Sequence, residues 1–139
     1  NETVNKKILS AIENWIRPIL CIWETLKQKE LWLSKEVLKI QILEWLESIK
    51  DYSLVDIAYE PVWAIWTGKS ATNEYINEIH DYIREIIWNV DCRIIYGGSV
   101  KAENAWELIS IPNVNWFLVG SASLDPDAFL KIVQAVESK

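Results

Sequence analysis

Val55-Asp56-Ile57-Ala58-Tyr59 is a short run broken only by Asp56, and Glu60-Pro61-Val62-Trp63-Ala64-Ile65-Trp66-Thr67-Gly68-Lys69-Ser70-Ala71 follows it as a loop with Pro, Gly and polar side chains. The run is too short for a helix and nearly continuous in apolar residues, the pattern of a strand buried on both faces. Downstream, Thr72 is placed to cap a helix in which Tyr75, Ile76, Ile79, Tyr82, Ile83, Ile86 and Ile87 make one wide apolar stripe. Upstream, Ser34 is placed to cap a helix carrying Leu38, Ile42, Leu46 and Ile49 on one face. The same alternation repeats outward in both directions. Val4, Ile8, Ala11 and Ile12 predict a helix over 3–14, and Ile19-Leu20-Cys21-Ile22 predicts a strand after Pro18. Arg93-Ile94-Ile95-Tyr96 predicts a third strand ended by Gly97-Gly98, followed by a helix over about 102–109. Phe117-Leu118-Val119 predicts a fourth strand, and Asp125-Pro126 opens a last helix toward the C-terminus. Four strands, each followed by a helix, describe a parallel sheet with helices outside it. The polar loops fall after the strands, where such sheets carry their chemistry. The pattern alone does not separate an open doubly wound sheet from part of a barrel.

The 139 residues are one domain or part of one, and half of them are apolar, which excludes wholesale disorder. A net charge of −6 argues against nucleic acid or an anionic membrane as the main partner. Two cysteines make no disulfide framework and suit a reducing cytosol. No stretch is long and apolar enough to span a membrane, and Asn1-Glu2-Thr3 opens no secretory signal, so a cytoplasmic location is expected. With no Met at all, the first residue is not expected to be a translational start.

Ala58-Tyr59-Glu60-Pro61-Val62-Trp63-Ala64-Ile65-Trp66-Thr67-Gly68-Lys69 closely resembles the catalytic strand and lid of the triosephosphate isomerase family, which reads AYEPVWAIGTGK there; Trp66 replaces a Gly. Ile95-Tyr96-Gly97-Gly98-Ser99-Val100 resembles that family's next phosphate loop, and Val119-Gly120-Ser121-Ala122-Ser123-Leu124 its last, with Ser121 where a second Gly is usual. Asn5-Lys6-Lys7 and Cys21-Ile22-Trp23-Glu24 also look like family segments, Trp23 again standing for a Gly. The resemblance runs through the whole chain in order and spacing. It implies an α/β fold, the C-terminal half of a TIM (β/α)8 barrel, with residues 1–139 forming a partial domain of the last four βα units preceded by a helix. The implied reaction interconverts dihydroxyacetone phosphate and D-glyceraldehyde 3-phosphate, in glycolysis and gluconeogenesis, by proton transfer between adjacent carbons through an enediolate. Glu60 matches the catalytic base. Trp66, Ser99, Gly120 and Ser121 match the residues around the substrate phosphate. Pro61, Val62 and Trp63, then Gly68, Lys69, Ser70 and Ala71, match the lid and its hinges. Tyr96 and Ser99 match the latch of the closed lid, and Glu24 the partner of Trp63 in the open one. The resemblance further implies a homodimer at full length, a small triose phosphate as substrate, and no cofactor.

The other reactive side chains read plainly. Cys21 is expected to be a small residue near the site rather than a nucleophile, Cys92 a packing residue, and His80 a surface histidine. One His and two distant Cys supply no metal-ligand spacing.

A full barrel has about 250 residues, and the family's catalytic Lys, electrophilic His and main dimer loop belong to its first half. None has a counterpart here, so the chain alone is expected to be inactive, and an isolated half with open edges is expected to associate. The alternative is a non-catalytic half-barrel that binds phosphate-bearing ligands and pairs with a separate N-terminal half. The composition also holds an inversion: 9 Trp against 4 Gly, where Gly is ordinarily about 7% of residues and Trp is scarce. Trp23, Trp66 and Trp116 fall on usual Gly positions of the family. Trp15, Trp32 and Trp88 follow helices or sit in loops, where φ > 0 favours Gly. Trp45 and Trp106 are plausible Gly sites, and only Trp63 is a Trp that the family uses. Glycine at the other eight would leave 12 Gly and 1 Trp. UGA codons meaning Gly but read as Trp would produce this pattern; a truly Trp-rich or engineered chain is the other reading.

Overall fold

The computed structural model describes residues 2–65, 70–88 and 91–139. In chain order the elements are α1 (Glu2–Glu13), β1 (Ile19–Trp23), α2 (Leu26–Glu30), α3 (Ser34–Trp45), β2 (Asp56–Glu60), α4 (Asn73–Ile87), β3 (Ile94–Tyr96), α5 (Ala105–Ile109), β4 (Trp116–Phe117) and α6 (Pro126–Glu137). All strand pairs are parallel, and their order across the sheet is β1-β2-β3-β4. That order answers the question the pattern left open. A doubly wound sheet reverses direction at a switch point, whereas a strictly sequential sheet is what half of a (β/α)8 barrel requires.

Register sorts the side chains onto two faces. Leu20 pairs with Ile57 and Ile57 with Ile94; Ile22 pairs with Tyr59, Tyr59 with Tyr96 and Tyr96 with Phe117. These rows form one buried cluster with Leu38 and Ile42 of α3 and Ile76, Ile79 and Ile83 of α4. Each fully buried Leu or Ile there contributes about 1.5–3 kcal/mol by leaving water. The opposite face carries the row Cys21, Ala58, Ile95 and Trp116, with Trp23 beside Glu60 at the rim. Ile19, Trp23 and Trp116 are exposed, so the face that would line a barrel is open at both its edges among the described residues. Below the rim the buried carboxylate of Asp56 is clamped by Arg17 at 2.7 Å and Arg93 at 2.6 Å, tying the starts of β2 and β3 to the loop before β1.

Several local expectations hold. Thr72 accepts from the Tyr75 N–H to cap α4, and Asp125 accepts from the Asp127 and Ala128 N–H groups ahead of Pro126. Others are corrected. Ser34 is the first residue of α3 rather than its cap, and its hydroxyl lies 2.8 Å from that of Tyr75. The short helix α2 was not expected, although Thr25 and Gln28 form a complete capping box at its start. Strand β4 comes one residue earlier than the apolar run suggests. His80 is not on the surface: it is 0% exposed, because it lies on the inward stripe of α4 with Ile76, Ile79, Ile83 and Ile87.

Three tryptophans occupy left-handed backbone: Trp15 at φ 61°, Trp32 at φ 61° and Trp88 at φ 57°. Such a conformation costs a residue with a Cβ on the order of 1–2 kcal/mol. The expectation of φ > 0 at these three positions is therefore met, whereas Trp45 and Trp106 lie in helices and Trp23 and Trp116 in strands.

Candidate active site

Glu60 is the last residue of β2, half-buried at the rim, and parallel pairing sets it beside Trp23. The Cys21 thiol, two residues back on β1, is within hydrogen-bonding reach of the Glu60 carboxylate. Burial, then the bond to Glu60 and its charge, push that thiol up to about 12, so it stays protonated and is no nucleophile at neutral pH. Gly97, after β3, closes the other side of Glu60. A Cβ at Gly97 would come within 2.7 Å of Glu60 Cγ, so the bare backbone is what allows the carboxylate side chain to lie against this loop. A carboxylate fixed at a strand end between a thiol and a glycine loop, opening to the rim, is suited to take up and return a proton.

Beyond Glu60 the chain turns at Pro61 into a 3-10 turn over Val62–Ala64. Trp63 is held inward: its indole N–H donates to Glu24 Oε1 at 2.8 Å, and its ring meets Tyr75 edge-on with centroids 5.8 Å apart. Glu24, fully buried after β1, also accepts from the Tyr59 hydroxyl at 2.9 Å and lies 3.0 Å from the Tyr75 hydroxyl. All three donors meet one oxygen, and Glu24 Oε2 has no partner. Burial and the neighbouring Glu24 push the Tyr59 hydroxyl far up, and burial is the main cause of Tyr75 rising to about 12. Both therefore remain donors. The ammonium of Lys29 sits 4.5 Å over the Trp63 ring and 5.2 Å over that of Tyr75, closing the cluster from outside. The partnership of Glu24 with Trp63 was readable from the family segment; the parts of Tyr59, Tyr75 and Lys29 were not, since an apolar stripe reports which side a tyrosine faces and not what its hydroxyl meets.

Ser99 donates to the Ala64 carbonyl at 3.3 Å, linking the loop after β3 to the 3-10 turn after β2. Asn104 braces that loop by accepting from the Lys101 N–H and donating to the Ser99 carbonyl, both at 2.8 Å. Tyr96 is buried, its hydroxyl pushed up to about 12 mainly by burial, and it lies over Gly98, where a Cβ would clash with the ring. Gly120 and Ser121 are exposed at the start of a 3-10 turn over Ser121–Leu124, with Ser123 donating back to the Gly120 carbonyl at 2.7 Å. A cavity of about 360 Å³ lies between these loops; Ser99, Gly120 and Ser121 line it together with Ile65, Lys101 and Glu103. Its volume is that of a small-ligand site, and the small residues leave backbone N–H groups approachable by an anion. Three of the four expected phosphate residues thus share one cavity; the fourth, Trp66, lies outside the described residues, as do Gly68 and Lys69. Ser70 is exposed and Ala71 buried ahead of α4. Lys101, a cation at the cavity wall, was not singled out from sequence. No cluster of His, Cys, Asp or Glu able to hold a metal occurs among the described residues, and none of their helices is long and apolar enough to cross a membrane.

The chain matches the family described as Triosephosphate isomerase over residues 1–136. Similar proteins include the triosephosphate isomerase of Chlorobium phaeobacteroides, 45% identical over 142 residues, covering 97% of this chain and 57% of that one. That of Alkaliphilus metalliredigens is 47% identical over 142 residues, covering 96% and 57%. That of Aquifex aeolicus is 43% identical over 140 residues, covering 96% and 57%. The chain spans a little over half the length of these relatives.

Proposed function

The chain belongs to the triosephosphate isomerase family, and from that premise we propose that residues 1–139 are the last four βα units of a cytoplasmic triose-phosphate isomerase, supplying its proton-transferring carboxylate and its phosphate loops. In this reading Glu60 takes a proton from the substrate carbon beside the carbonyl. The electron pair moves into a carbon–carbon double bond as the carbonyl becomes an enediolate oxygen. Glu60 then returns a proton to the adjacent carbon while the hydroxyl proton passes from one enediolate oxygen to the other, so nothing is oxidised or reduced overall. The N–H groups around Ser99, Gly120 and Ser121 hold the phosphate dianion and fix the reacting carbons against Glu60. Pro61, Val62 and Trp63, with Gly68, Lys69, Ser70 and Ala71 at the far end, act as the lid that excludes water, Tyr96 and Ser99 latching it when closed. The Glu24 anchor holds Trp63 when the lid is open.

The observation that carries the reading is the convergence of Glu60 with the Gly97 loop, while Ser99 of that loop, Gly120 and Ser121 line one cavity on the same rim of the sheet. These groups come from three separate strand ends, which chance placement of a lone Glu would not supply. Enediolate stabilisation still needs an electrophile, and the family's His and Lys have no counterpart in this chain. The test is a coupled isomerase assay on the polypeptide encoded by the complete reading frame. Glu60→Gln should lower kcat by about 10²-fold or more, and the 139-residue chain alone should show no turnover. Near-normal kcat in the Glu60→Gln enzyme would overturn the assignment.

A further inference from the structure

Trp15 and Trp32 each close the C-terminal end of a helix in the same way. After α1, Trp15 N–H donates to the Ile12 carbonyl at 3.0 Å and Ile16 N–H to the Ala11 carbonyl at 2.9 Å. After α2, Trp32 N–H donates to the Lys29 carbonyl at 3.0 Å and Leu33 N–H to the Gln28 carbonyl at 2.9 Å. Each is a complete Schellman cap, a motif whose left-handed position is usually glycine because a Cβ crowds the backbone there. Trp88 ends α4 in the same left-handed conformation, its N–H donating to the Arg84 carbonyl at 3.0 Å. The bulk gains nothing in return: Trp15, Trp32 and Trp88 are 97%, 94% and 87% exposed. Of the five non-glycine residues with positive φ among the described residues, the other two are Ser48 and Asn113, and Asn is the residue that tolerates the conformation best after glycine.

Three further tryptophans point the same way on different grounds. Trp45 buries an indole N–H that finds no acceptor. Trp23 sets its side chain on the same face as Glu60, at the neighbouring register position, and Trp116 sets its own beside Ile95 on the face that would line the barrel. Trp63 behaves as a selected tryptophan does: buried, hydrogen-bonded to Glu24 and packed on Tyr75.

We propose that positions 15, 32 and 88, and with them 23, 45, 66, 106 and 116, are glycine positions encoded by UGA, and that the polypeptide made in the source organism carries glycine at all eight and tryptophan only at 63. The organism must then contain a glycine tRNA that decodes UGA. The functional consequence rests on the isomerase reading: glycine at 23 clears space beside the Glu60 carboxylate, and the Trp-bearing chain is the impaired form.

Two measurements test this. The first reads the codons and the masses of proteolytic peptides spanning these positions in protein isolated from the source cells. UGA at the eight positions, UGG at 63 and glycine-mass peptides are expected; UGG at 15, 32 or 88, or tryptophan-mass peptides there, overturn the proposal. The second compares recoded genes for the complete reading frame, with Gly or with Trp at the eight positions. The glycine form should melt higher and turn over triose phosphate at least tenfold faster; equal melting overturns the proposal. Glycine-mass peptides from a stable but inactive enzyme would instead refute the isomerase reading alone, so the two failures are separable.

Discussion

Acidification from pH 7 to pH 5 should destabilise this fold through one side chain. His80 is fully buried, with Nδ1 3.0 Å from the Asn113 carbonyl. The carbonyl can only accept, so Nδ1 carries the proton of the neutral ring and Nε2, buried without a partner, is left as the lone pair. The ring is wedged between Tyr59 and Tyr96, centroids 6.0 and 6.1 Å away. Burial pulls its pKa down from 6.5 to about 4, against the Asn113 carbonyl and Asp81, which favour the charged ring, and with Arg84 and Lys139, which oppose it. The depressed value makes the stabilising contribution full above 6.5, and it is lost as pH falls toward about 4. At pH 5 an unfolded ring is almost wholly protonated and the folded one about nine-tenths neutral, which amounts to a loss of about 2 kcal/mol relative to pH 7. Cys21, Cys92 and the site tyrosines are pushed up, away from this window, and Asp56 is held below it. Urea unfolding followed by far-UV circular dichroism at intervals from pH 7 to 5 gives the slope. His80→Gln keeps an N–H able to reach the Asn113 carbonyl and removes the titration, so its stability should be flat over the same range. A wild-type chain as stable at pH 5 as at pH 7, or a glutamine variant with the wild-type slope, would refute the reasoning.

Trp15→Gly relieves a left-handed backbone at a residue 97% exposed, so thermal and urea unfolding should show a gain of about 1 kcal/mol; an unchanged midpoint would mean that the cap carries no strain. Glu24→Ala removes the acceptor shared by Tyr59, Trp63 and Tyr75 and should cost about 2–3 kcal/mol; the Trp63 indole proton should exchange with solvent faster by NMR, and unchanged exchange would mean that Glu24 does not anchor it. For Asp56, burial raises the carboxyl pKa, but hydrogen bonds and charge from Arg93 and Arg17 outweigh it and hold the group below its usual range. Its contribution is therefore present above pH 3.8 and lost as pH falls below that. Because the two arginines are 51% and 40% exposed, screening limits the cost of Asp56→Asn at neutral pH to about 1 kcal/mol, and the difference from wild type should shrink toward zero in acid unfolding.

The repeating strand and helix units were legible because burial on both faces leaves an apolar run and burial on one leaves a stripe. Strand order was not, since neither pattern says which neighbour a strand pairs with; sequential pairing had to come from the structure. The stripe also misleads where a polar residue can satisfy itself inside. His80 reads as a surface residue next to Asp81, yet it takes a core position because a carbonyl from Asn113, more than thirty residues away, meets one ring nitrogen. Ser34 reads as a cap and instead meets Tyr75, a contact that exists only because α3 and α4 pack side by side. Short caps, by contrast, are written locally: Thr25 with Gln28, Thr72 with Tyr75, and Asp125 with Ala128 each fix a helix start within three residues.

Locality also explains why Trp15, Trp32 and Trp88 read as glycine-like positions before any geometry was known. A Schellman cap favours a residue without a Cβ at one position, whatever the rest of the fold does, so Trp15 and Trp32 at such caps, and Trp88 in the same left-handed conformation, contradict the local rule independently of family or function. The site depends on the opposite property. Glu60, Ser99 and Gly120 are separated by dozens of residues, and they share a rim because parallel pairing places every strand end, and so every following loop, on the same side of the sheet. Restoring the caps would therefore steady the helices one by one. The chemistry proposed for Glu60 needs the whole row of strand ends to stay in register.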